Sequence, residues 1–177
     1  VGLVYILFRN LPKSRAESSA LAAAFAATAV AVSAYGLFQA AVELPELQAA
    51  YRRNPALILA QMGIEPGARA QQAFEQRLIG SNDVYSTFAL ANSLAGFLVG
   101  PLVLILGSAL QNLASPGDRG SRWGSLATAA PPALLILVCL ILTKSRIAWI
   151  GLLVATLILA WKSWRTLPRR ELLAMIA

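Results

Sequence analysis

Between Ala133 and Trp161 the chain is almost wholly apolar, yet Lys144, Ser145 and Arg146 stand near the middle of the run. As one helix the stretch would be roughly 43 Å long at about 1.5 Å per residue, against a hydrocarbon core of about 30 Å. Each cation would then sit near the bilayer centre, at a cost of roughly 2.5–3.5 kcal/mol. Two helices joined by a turn at Thr143–Arg146, placed at a membrane surface, avoid both penalties. The interruption therefore predicts a helical hairpin, 125–143 and 147–161. Pro131 and Pro132 fall in the first turns of its first helix or kink them.

The rest of the chain agrees with a membrane setting. It is 58% hydrophobic and 13% charged, whereas soluble domains carry about 25% charge. Residues 18–42 form an Ala-rich run, with Glu17 and Ser18 suited to its N-terminal end and many small residues suited to close helix packing. A further run spans 84–110, interrupted by Gly100-Pro101. The expected fold is an all-α polytopic transmembrane helix bundle. It has about four full spans plus partial spans at both ends, in 1–8 and from 171 onward. Residues 1–177 read as one membrane domain, the central piece of a longer chain. The 43–85 stretch differs: its charges are mixed in sign, and 45–63 and 66–80 each predict an amphipathic interfacial helix, separated by a turn at Gly63–Gly67.

Basic residues fix the orientation. The formal charge is +7, but the cations are scattered between apolar runs rather than gathered on one face, which sets nucleic-acid binding aside. Loops 9–15, 111–124 and 162–171 hold nine of the 15 Lys and Arg residues, and the alternation of spans puts them on one side. The 43–85 loop and the 143–146 turn hold the other six, together with five of the eight acids. The positive-inside rule assigns the first set to the cytoplasm, so 43–85 and 143–146 share the outer face.

Chemistry is constrained by what is missing. There is no histidine, which removes His-based metal sites and His-driven acid–base chemistry from these residues. The single cysteine, Cys139, lies in an apolar run and reads as a small core residue. No metal or cofactor is expected. Lys144 and Arg146 admit two readings: cations that cap a helix and snorkel to headgroups, or an anion site whose arginine grips phosphate at two points. Asn92, with Thr87 and Ser93, either bonds between helices or orients a substrate or the arginines. Arg77 is an interfacial anchor or a second phosphate contact. Tyr85, Trp149, Trp161 and Trp164 read as interface aromatics.

Two stretches, "VYSTFALANSLAGFL" (84–98) and "LTKSRIAWIGLLVATLIL" (142–159), resemble motifs of the O-antigen ligase and O-antigen polymerase family. They occur in the family's order with a basic loop between them, and the resemblance covers roughly residues 75–161, with 84–161 as the shared core. Leu90-Ala91-Asn92 stands where the family has Asn-Pro-Asn, and Ile147 where it has Gly. The resemblance implies a C-type-like, metal-independent glycosyltransferase of the bacterial inner membrane. Such an enzyme works at the periplasmic face on a glycan carried by undecaprenyl pyrophosphate, with a lipid or glycan acceptor. It implies that Arg146 and Arg77 stabilise the leaving pyrophosphate, and that Asn92, Ser145, Lys144 and Thr87 line the substrate.

The family's proton acceptor is a histidine in a later periplasmic loop, so residues 1–177 alone are expected to be inactive. The outer carboxylates Glu43, Glu46, Glu65, Glu75 and Asp83 are the only substitutes on offer. A segment of a polytopic transporter, with Asn92 and Arg146 along a substrate path, or a non-catalytic membrane scaffold, are the alternatives.

Overall fold

Ser14 begins the first helix by accepting the Glu17 N–H on its hydroxyl at 3.1 Å, which satisfies one of the amides a helix start leaves open. A computed structural model describes residues 14–81, 83–114 and 119–166, and in them the chain is all-helical. Helix α1 covers Arg15–Phe38 and continues through a π-helical turn, Gln39–Glu43, into α2, Leu44–Arg53. The expected boundary at 42 is therefore no break. Pro45 accounts for the wide turn: it lacks an N–H, and its ring would collide with the Ala41 carbonyl of a regular helix. The Leu44 N–H instead reaches back to the Gln39 carbonyl.

Pro55 ends α2, because the residue before a proline leaves the helical region; Asn54 lies at φ −149°, ψ 84°. The same Asn54 caps α3, Pro55–Gln61, through the Leu57 N–H at 3.2 Å. The single helix expected over 45–63 is thus two. Gly63 (φ +68°) and Gly67 (φ +83°) make the predicted turn in the left-handed region. Then come α4, Arg69–Glu75, and a second π-helical turn, Gln76–Ser81. Leu44, Tyr51, Ile58, Leu59 and Leu78 bury one another to form a small cap beside the bundle.

Three helices follow: α5, Ala91–Ala114; α6, Arg119–Leu142; and α7, Arg146–Thr166. The run expected over 84–110 begins as an irregular loop, 83–90, and its helix passes through Gly100-Pro101 unbroken. The loop expected over 111–124 is mostly helical, so Pro131 and Pro132 fall in the middle of α6 and not in its first turns. Among the described residues, three helices are long and apolar enough to cross a membrane: Arg15–Arg53, Ala91–Asn112 and Trp123–Leu142. These three spans mark a multi-pass membrane protein. Helix α7 is a fourth apolar helix, beginning at Arg146. The partial spans expected in 1–8 and from 171 lie outside the described residues.

The core sits where α1, α5 and α6 meet. Ala29, Leu94, Leu98, Ile136, Cys139 and Leu140 are fully buried there. Between lipid-embedded helices such packing stabilises by close contact rather than by escape from water. Small residues at Ala29, Ser33 and Gly36 let α1 approach closely. Phe25 meets Phe97 edge-on at 5.4 Å. The expected hairpin is corrected in one respect: α7 packs on α5 rather than on α6. Gly107 faces Leu159 and Ala148 joins the cluster of Leu94 and Ala95, so α5 and α7 run in the same direction from one end of the bundle. That end carries the 83–90 loop, the 143–145 turn and the cap.

Candidate functional site

Cations and the left-handed residues Ser86 and Lys144 mark this end. The chain leaves α6 through Thr143, whose hydroxyl donates to the Leu140 carbonyl at 2.7 Å. Lys144 then takes φ +52°, the left-handed closing position that glycine usually fills. Ser145 is buried, and its hydroxyl accepts the Ala148 N–H at 3.4 Å, starting α7. There it caps the helix, and it is not among the residues that line the cavity at this end of the bundle. Lys144 pairs with Asp83, Nζ to Oδ1 at 3.4 Å, and the Val84 N–H bonds the Leu142 carbonyl at 3.4 Å. The two sequence stretches that carry the family resemblance are thus joined along their edges.

The 83–90 loop is pinned from its other side. Gln39, 4% exposed, accepts the Tyr85 N–H at 3.2 Å and the Ser86 N–H at 2.9 Å on its side-chain oxygen. Ser86 lies at φ +51°, and its hydroxyl donates to the Val32 carbonyl at 2.8 Å. Among the described residues, Ser86 and Lys144 are the non-glycine residues with positive φ. Such conformations cost of order 1–3 kcal/mol and gather at functional sites.

Between the loop and the cap lies a cavity of about 170 Å³, lined by Arg77, Asp83, Tyr85, Ala89, Leu90, Ala91 and Asn92. Arg77 reaches it from the second π-helical turn, and Asn92 from the first turn of α5. Turns of this kind are frequent at functional sites. Of the residues read from the sequence, Arg77 and Asn92 meet here. Lys144 reaches the rim through Asp83. Thr87 is exposed and does not line the cavity, nor does Arg146, which stands exposed at the start of α7 two residues beyond Lys144. Sequence reasoning set Tyr85 aside as an interface aromatic and passed over Gln39. An amide inside an otherwise apolar helix was the one signal available for Gln39.

Three of the five carboxylates of 43–85 are engaged. Glu43 accepts the Tyr35 hydroxyl at 3.0 Å. Glu75 accepts from Tyr51 and from the Gln71 amide, and these bonds hold its carboxyl below the usual range. Asp83 is the one carboxylate on the cavity wall, and it is ion-paired. A wider groove of about 340 Å³ opens further along the bundle between α1, α5 and α6, where Asn112 donates to the Ser125 hydroxyl at 2.8 Å. No known protein family, curated protein or solved structure matches the chain.

Proposed function

We propose that the protein is part of an inner-membrane glycosyltransferase that acts at the periplasmic face on a glycan carried by undecaprenyl pyrophosphate, in the manner of O-antigen ligases and polymerases. The observation that carries this reading is the meeting of the two resembling stretches at one end of the bundle. There Lys144 pairs with Asp83 beside a cavity that also holds Arg77 and Asn92.

The chemistry follows from the leaving group. As the acceptor hydroxyl attacks the anomeric carbon, the bond to the phosphate oxygen breaks and the pyrophosphate gains negative charge. Guanidinium groups fixed beside that oxygen stabilise the charge without reorganising during the step, and the planar fork of arginine suits two phosphate oxygens at once. Asn92, in the first turn of a 24-residue helix, adds a neutral polar group where a helix start favours anions. Asp83 is the carboxylate nearest to hand for the proton the acceptor gives up.

The test is transfer from a polyprenyl-pyrophosphate glycan to a lipid acceptor in membranes carrying the complete glycosyltransferase of which these residues are proposed to be part. Arg146→Lys and Arg77→Lys are each expected to slow transfer by about 10²-fold or more while leaving the protein level unchanged. Full transfer with Arg146→Ala returns that residue to the role of cap and anchor. Full transfer with Arg77→Ala as well refutes the reading.

A further inference from the structure

Gln39 is buried where α1 passes into the first π-helical turn, and its side-chain oxygen bonds the chain 46 and 47 residues away. A buried amide is costly unless its polar atoms are paired. Here it stands in for the missing ladder of an irregular segment: the Tyr85 and Ser86 amides have no helix to bond to, and the left-handed turn at Ser86 points both at one acceptor. Tyr85 lines the cavity, Asp83 lies two residues before it, and Asn92 follows where the loop enters α5. The Ser86 hydroxyl adds a second tether to α1 at Val32. The tether residue itself begins the π-helical turn, so its carbonyl is engaged by Leu44 rather than by a partner one residue earlier.

We infer that Gln39 is a positioning residue for the cavity: it holds the 83–90 loop so that Tyr85, and Asp83 with its Lys144 partner, stand with Arg77 and Asn92 around the space an anionic ligand would enter. Its effect on ligand binding rests on the function proposed above; its effect on the loop does not. Two variants separate acceptor from bulk. Gln39→Met keeps the size and removes the oxygen, whereas Gln39→Glu keeps an acceptor for both amides.

The protein in lipid nanodiscs is measured two ways: amide hydrogen exchange across 83–90, and binding of farnesyl pyrophosphate. Gln39→Met is expected to speed exchange at Tyr85 and Ser86 by about tenfold or more, the equivalent of one to two hydrogen bonds. It is expected to weaken pyrophosphate binding by a similar factor, and Gln39→Glu, which keeps the acceptor, to restore the slow exchange. Unchanged exchange at 85–86 in Gln39→Met overturns the inference. So does faster exchange spread evenly over α1, α5 and α6, which makes the residue an ordinary core member. Local loosening in a protein that binds no pyrophosphate even as wild type upholds the tether and removes the glycan reading instead.

Discussion

Replacing Gly36 by alanine tests how tightly the core and the loop are coupled. A Cβ on Gly36 would lie 2.9 Å from Cys139 Sγ, 3.1 Å from Val84 Cγ1 and 3.6 Å from Ser86 Cβ. In an open helix the change gains about 0.5–1 kcal/mol from propensity. Here the sulfur is fully buried on a short side chain, with no solvent to turn into, and overpacking of this kind costs about 1–3 kcal/mol. The balance is a loss of about 1 kcal/mol.

Removing the sulfur should reverse most of it. Cys139→Ala leaves the 3.1 Å approach to Val84 as the only tight contact, so Gly36→Ala in that background is expected to be close to neutral. The coupling between the two sites is then about 1 kcal/mol, in the range of residues in contact. The assay is reversible unfolding of the four proteins in detergent. A Gly36→Ala protein as stable as wild type, or a penalty unchanged in the Cys139→Ala background, refutes the packing argument.

Other outcomes follow from the same geometry. With single cysteines in a Cys139→Ala background, Gln72→Cys should react with a membrane-impermeant thiol reagent in spheroplasts and Gln111→Cys should not; the opposite pattern inverts the orientation. Glu75 is held below the usual carboxylate range by Tyr51 and Gln71, so its contribution to the cap is complete above that range and lost as pH falls through the lowered value. The protection of amides over 44–81, taken against the intrinsic exchange rate at each pH, should therefore fall on acidification, and Glu75→Gln should flatten that dependence. Lys144→Gly relieves a left-handed residue, which should raise stability by up to about 1 kcal/mol, while the lost cation weakens pyrophosphate binding. A net loss of stability in the glycine variant means the Asp83 pair outweighs the strain.

What could be read from the chain depended on whether the signal was local. The charges at 144 and 146 demanded a turn because of what a lipid core does to a cation, and the turn is there. Gly63 and Gly67 announced a bend by their freedom, and both take left-handed angles. The partner of α7 was not legible, since that helix is apolar on every side and shows no stripe that selects α5 over α6. Pro45 was visible, but the way a helix widens rather than breaks around it depends on how the chain is held at both ends. Half of the site was legible for the same reason: Arg77 and Asn92 are unusual in their own stretches. Gln39 acts across 46 residues, and no spacing rule reports a bond of that span.

The unbroken run from Arg15 to Arg53 has a mechanical consequence. Its 39 residues make a rod of about 58 Å at roughly 1.5 Å per residue, against about 40–45 Å for a bilayer with its headgroups. Leaning at the customary angle of about 20° shortens its reach by only a few ångströms. The rod therefore projects beyond the headgroups on at least one side. Its upper part carries the first strands of attachment to the cap and, at Gln39, to the loop. A change of lean of about 10° about the lower end sweeps the top sideways by about 10 Å. Because the same rod carries the cap and, at Gln39, holds the 83–90 loop, any change in its lean carries both walls of the cavity with it.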